Sequence, residues 1–168
     1  MMHVEGNPGI EQLAKAVGDL LVECRLRLAV AESCTGGWVA MALTAVPGSS
    51  GWFDRGYVTY SNASKIQMLG VRQRTLDTRG AVSEQTVVEM TQGALGKSGV
   101  DVALAISGVA GPGGGTAEKP VGTVCFAWQR QGEEAIVARQ RFDGDRQQVR
   151  RQAVAHALTQ LLELVRND

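Results

Sequence analysis

From Val100 to Ser107 the chain is apolar at almost every position, and glycines bound the run on both sides at Gly99 and Gly108. A half-exposed strand would alternate apolar with polar residues, so a run of this kind predicts a strand covered on both faces. The flanking segments supply the covers. Ile10, Leu13, Ala14, Val17, Leu20 and Leu21 recur at helical spacing and predict an amphipathic helix ending near Cys24. A short buried strand is expected over 26–31, a helix over 36–46 stopped by Pro47-Gly48, and a second strand over 53–60. Ser61 or Asn62 caps a helix reaching Leu69, and Ser83-Glu84-Gln85-Thr86 opens another over 84–97. Strands over 121–129 and 134–142 meet tightly at Gln131-Gly132 as an antiparallel hairpin. A last helix over 145–166 buries Val154, Leu158, Leu161, Leu162 and Val165. Helices interleaved with buried strands predict the α/β class, as a single-domain three-layer α/β/α sandwich with a mixed sheet. Residues 1–9 read as a flexible N-terminal tail and 10–168 as the domain, with no internal repeat or linker. A chain of 168 residues is long enough to bury about 70% of its unfolded surface in one core.

Chemistry concentrates where strands run into helices. In Leu28-Ala29-Val30-Ala31-Glu32-Ser33-Cys34-Thr35-Gly36-Gly37-Trp38 an apolar strand feeds small polar residues that open a helix. The free N–H groups and positive dipole end of such a helix are expected to face outward and hold an anion or an oxyanion. A hydroxyl at Ser33 is well placed for attack there, and Gly36 and Gly37 let a substrate approach the backbone. The structural alternative is that Ser33 or Thr35 caps the helix. A second junction, Gly56-Tyr57-Val58-Thr59-Tyr60-Ser61-Asn62-Ala63-Ser64-Lys65, puts a lysine in a first helical turn. A cation opposes the dipole there, so Lys65 should lose its proton more readily than an ordinary lysine. Paired with Ser33, it would take the hydroxyl proton and return it to a leaving amine or ammonia. The alternative is a solvated surface lysine.

Other candidates are weaker. Cys34 is a possible thiol nucleophile, ranked below Ser33 because no histidine stands ready as its base. His3 falls in the tail, and His156 lies on the helix side opposite Val154 and Leu158, so both read as surface residues and not as catalysts. Gly108-Val109-Ala110-Gly111-Pro112-Gly113-Gly114-Gly115 lacks the lysine and hydroxyl of a Walker loop. It leads into a strand without dinucleotide-fingerprint spacing, which leaves an adaptable backbone at a strand end, where open sheets bind ligands, or a wide turn. Arg146 and Arg150, one turn apart, could grip a phosphate or face solvent.

The 17 basic and 17 acidic side chains cancel, which gives no global field to hold nucleic acid or anionic lipid. Any anion must be held locally. Cys24, Cys34 and Cys125 are odd in number and lack C-x-x-C spacing, which argues against a disulfide framework or zinc site and for a reducing cytoplasm. No apolar run approaches the roughly 20 residues of a membrane span, and the first residues do not have a secretory pattern.

Several ordered motifs resemble the CinA C-terminal domain family: Ala31-Glu32-Ser33-Cys34-Thr35-Gly36-Gly37, Pro47-Gly48-Ser49-Ser50, Gly56 to Asn62, Gly80-Ala81-Val82-Ser83-Glu84, Ile106 to Pro112, Lys119 to Val124, and Gly144-Asp145-Arg146. The resemblance spans nearly all the chain past the first helix. Stand-alone members of that family are nicotinamide-nucleotide amidases, so it implies hydrolysis of nicotinamide mononucleotide (NMN) to nicotinic acid mononucleotide and ammonia, in pyridine-nucleotide recycling. It implies no metal or organic cofactor, a small nucleotide substrate, and a homo-oligomer. By resemblance Ser33 is the nucleophile, Lys65 the general base and Tyr60, in preference to Tyr57, a neighbouring polar group. N–H groups around Thr35, Gly36 and Gly37 would meet the oxyanion. Thr35, Ser107, Gly108, Gly111, Gly113, Arg146 and Arg150 are the candidates for the ribose phosphate. Many family members carry a further N-terminal domain associated with pyrophosphatase activity; at this length neither domain nor activity is expected. The alternative reading is a non-catalytic nucleotide-sensing module of a competence or damage response.

Overall fold

In the computed structural model residues 8–167 are described; residues 1–7, which hold most of the expected tail and His3, and Asp168 lie outside them. Strand β1 (Leu28–Glu32) is buried at every position and runs parallel to both its neighbours, β2 (Phe53–Val58) and β3 (Val102–Gly108). β4 (Thr123–Arg130) lies antiparallel beside β3, and β5 (Ile136–Arg141) antiparallel beside β4. The order is β2-β1-β3-β4-β5, a mixed five-stranded sheet.

The parallel pairs demand crossovers, and these carry the helices. α2 (Trp38–Thr44) links β1 to β2; α3 (Asn62–Leu69), α4 (Gln73–Arg79) and α5 (Glu84–Ser98) link β2 to β3. α1 (Ile10–Cys24) and α6 (Arg146–Arg166) pack together on the α2 side. The central strands alternate in size instead of polarity. Leu28, Val30, Leu104, Ile106, Phe126 and Trp128 fill the α1/α2/α6 side, whereas Ala29, Ala31, Ala103, Ala105 and Ala127 face Val87, Met90 and Ala94 of α5. A carpet of methyl groups lets α5 lie close to the sheet. α5 also lies close to the end of α3, where a Cβ on Gly93 would stand 2.0 Å from the Leu69 carbonyl oxygen.

The observed elements match the expected ones to within a few residues at their ends. α4, a seven-residue helix with no side-chain cap, carries no local sequence signal and is absent from the expected elements. It is pinned from outside: Glu89 accepts from the Arg72 N–H and guanidinium and from the Thr75 hydroxyl. His156 is a correction. Instead of facing solvent, its half-buried ring packs against Phe126, Phe142 and Trp128, with centroids 4.8, 6.0 and 5.9 Å away. These three aromatic rings extend the apolar surface around the helix flank, and burial pushes the imidazole pKa down.

Candidate active site

Past β1 the ladder continues for one residue, the Ser33 N–H donating to the Ile106 carbonyl at 3.0 Å, and then the chain turns. The turn closes through a 3.0 Å bond from the Gly36 N–H to the Ser33 carbonyl. Gly37, at φ 100°, is the N-cap of α2 in a conformation that a side chain would disfavour. A glycine cap brings no side-chain acceptor. The acceptor comes from Glu32, only 1% exposed, whose two carboxyl oxygens take the N–H groups of Val39 at 2.9 Å and Ala40 at 3.1 Å. Glu32 also accepts from the Thr35 hydroxyl at 2.7 Å. The start of α2, expected to receive an external anion, is therefore occupied by the chain's own carboxyl group.

Opposite this turn, α3 begins at a capping box in which the Ser61 hydroxyl accepts from the Ser64 N–H. One residue on, Lys65 turns inward and is 1% exposed. Its Nζ lies 3.0 Å from Ser33 Oγ and donates to the Thr59 carbonyl at 2.8 Å. Among the described residues no carboxylate pairs with it. Burial pushes the Lys65 pKa down. The neighbouring Cys34 thiol is pushed up to about 12 by burial, so it stays protonated near neutrality and is a poor nucleophile.

Ser33, Lys65, Tyr60, Ser107 and Gly108 border one cavity of about 190 Å³. It shares Ala110 and Arg146 with a wider space of about 620 Å³ bordered by Pro112, Val121 and Arg150. Tyr60 is 62% exposed, and its hydroxyl oxygen accepts from Arg146 at 2.8 Å. Arg146 also donates to the Gly111 carbonyl at 2.8 Å. Tyr57 packs instead against the α5-side core. Ser107 donates to the Ala81 carbonyl at 2.8 Å.

Five expected contacts lie elsewhere. The Thr35 side chain is fully buried and turned to Glu32. Gly36 and Gly37 do not border the cavity, and the Gly36 N–H is already spent. Gly111 and Gly113 border neither space. Arg150 does border the wider space, but two of its donors clamp the turn, reaching the Cys34 carbonyl at 3.0 Å and the Thr35 carbonyl at 3.1 Å while the guanidinium stacks over Trp38. Glu32 went unrecognised as a functional residue because a glutamate ending an apolar strand reads as a boundary, and two of its three partners are backbone N–H groups that no side-chain pattern reveals. Among the described residues no group of three or more His, Cys, Asp or Glu comes together to hold a metal, and no helix is long and apolar enough to cross a membrane.

The sequence model of the CinA C-terminal domain matches residues 10–165. The chain is 55% identical over 150 residues to the nicotinamide-nucleotide amidohydrolase PncC of Escherichia coli (strain K12), covering 89% of this chain and 91% of that one. It is 50% identical over 159 residues to the protein of the same name from Enterobacter agglomerans, covering 94% and 97%. Among solved structures, the competence/damage inducible protein CihA of Agrobacterium tumefaciens superposes with a TM-score of 0.90 at 44% identity, covering 98% of this chain and 99% of that one.

Proposed function

The chain belongs to the CinA C-terminal domain family, and from that premise we propose that it is a nicotinamide-nucleotide amidohydrolase that works through Ser33 and Lys65. The observation that carries this reading is a buried lysine, without a carboxylate partner among the described residues, 3.0 Å from a serine hydroxyl at the edge of a cavity. A lysine in such surroundings is held toward its neutral form and can act as a base.

In this reading the neutral Lys65 amine removes the Ser33 proton as Oγ attacks the carboxamide carbon. The resulting ammonium then protonates the departing nitrogen, ammonia leaves, and an ester to Ser33 remains. Water, deprotonated by the same amine, attacks the ester, and the proton returns to Ser33 as the carboxylic acid leaves. The oxyanion falls to groups that border the cavity. Tyr60 suits the task because Arg146 donates to its oxygen, which leaves the phenol proton to point at substrate. We assign the amide ring to the smaller cavity and the ribose phosphate to the wider one, with Arg146 at their junction as the phosphate contact. Ser107 and Gly108 shape the amide end; Gly111 orients Arg146. Arg150, Thr35, Gly36 and Gly37 serve by shaping the nucleophile turn.

Rapid quenching of NMN turnover followed by mass spectrometry tests the covalent step. An adduct of the pyridinecarbonyl nucleotide on the peptide carrying Ser33 is expected. Full turnover with no adduct at any quench time, or an adduct on Cys34, would overturn it.

A further inference from the structure

The segment from Arg79 to Ser83 is a wall with a space on each side. Ala81 and Val82 border the cavity at Ser33, whereas Arg79 and Ser83 border a separate cavity of about 280 Å³. The sheet register places the two side by side. Ser107, at the Ser33 cavity, pairs with Cys125 on β4, and Cys125 pairs with Arg139 on β5. Cys125 and Arg139 both border the second cavity, so the two spaces are offset by about one strand spacing, roughly 4.8 Å, along the sheet.

Three cations from three different parts of the chain surround this second space: Arg79 at the end of α4, Lys119 in the loop before β4, and Arg139 on β5. Glu84 and Glu118 border it too, yet among the described residues none of the three cations forms an ion pair. Two of the cationic heads are fixed by neutral acceptors. Lys119 donates to the Arg79 carbonyl at 2.6 Å, and Arg139 donates to the Glu118 carbonyl. These bonds hold the heads at the cavity outside any ion pair, and three cations against two carboxylates leave its lining net positive. Spare guanidinium and ammonium donors around a concave space match the oxygens of a phosphate.

We propose that this cavity is a second ligand site, for a small molecule bearing a phosphate group, distinct from the site at Ser33. It has a built-in route to the reaction. A ligand drawing on Arg79 and Lys119 loads the wall between the cavities, and the Ala81 carbonyl in that wall accepts the Ser107 hydroxyl of the Ser33 cavity. Occupancy changes the fit of substrate through the wall, without touching Ser33 or Lys65, so its signature is a change in KM at constant kcat.

Titrating inorganic pyrophosphate into the full chain by calorimetry tests this. The titration is made in an Arg146→Gln background, which removes the phosphate contact of the first site, and again with Arg79→Gln and Arg139→Gln added. Saturable binding should survive Arg146→Gln and weaken at least about tenfold when the two further cations are removed. Both are exposed side chains, so thermal unfolding should show the same midpoint with and without them. Lys119→Gln alone should also weaken binding. No saturable binding in the Arg146→Gln protein, or equal binding with and without Arg79 and Arg139, would overturn the proposal. The binding readout stands whether or not the chain hydrolyses NMN.

Discussion

At Lys65 an amine sits 1% exposed with no carboxylate partner among the described residues, so the neutral form gains at the expense of the charged one. The sign of the pH effect follows. The neutral base becomes populated as pH rises through the lowered pKa, so kcat/KM for ammonia release should climb along a single limb and level off below the ordinary lysine range. A pH–rate profile checks this; a limb centred at an unperturbed lysine value would contradict it. Lys65→Arg should be inactive, since a guanidinium stays protonated. Glu32 makes a second prediction at this scale. Glu32→Ala orphans the Val39 and Ala40 N–H groups, at a cost of roughly 1–3 kcal/mol for each donor, and should lower the urea midpoint accordingly. Ser33 and Lys65 were legible because each stands at a strand-to-helix junction with its own local signature. That they meet was not legible, because the residues between them contain a whole helix and strand whose packing no local pattern encodes. Glu32 was hidden for a different reason: a glutamate ending an apolar strand reads as a boundary.

Between elements, α5 holds α3 in place, and α3 carries Lys65. Because a Cβ on Gly93 would collide with the backbone of Leu69, Gly93→Ala should destabilise the fold by about 1–3 kcal/mol and also lower kcat, although it lies on a different helix from either reacting group. Unfolding midpoints together with turnover rates check both halves. α6 reaches the nucleophile turn through Arg150, so Arg150→Met should lower kcat more than it raises KM, the mark of a group that positions the turn. Farther along the same helix, burial lowers the His156 pKa below its unfolded value. Between those two values the unfolded chain binds the extra proton, so stability falls as pH drops below about 6.5 toward the folded pKa. His156→Phe should flatten that acid limb in a series of thermal melts. The periodicity of α6 predicted its buried leucines and valines correctly but misplaced His156. A helical wheel marks angle only, and Phe126, Phe142 and Trp128 extend the apolar surface around the helix flank.

For the molecule as a whole, the layered α/β architecture was readable because the strands announce burial on both faces. The wide division of labour across the sheet, large side chains toward α1 and α6 and alanines toward α5, was written in the alternation of Val102-Ala103-Leu104-Ala105-Ile106. Strand order was less accessible, since it depends on which crossover lies over which face. The site forms where the parallel strands β1 and β3 end, and there β1 leads into the turn that carries Ser33 and β2 toward the helix α3 that carries Lys65. We propose that these two side chains together perform amide hydrolysis on a nucleotide. Ammonia release from NMN, measured for wild type, Ser33→Ala and Lys65→Ala in parallel, tests it most directly. Turnover by the wild type and a loss of at least about 1,000-fold in each variant are expected, with unfolding midpoints that show both variants folded. Wild-type rates in either folded variant, or no ammonia from the wild type, would contradict it.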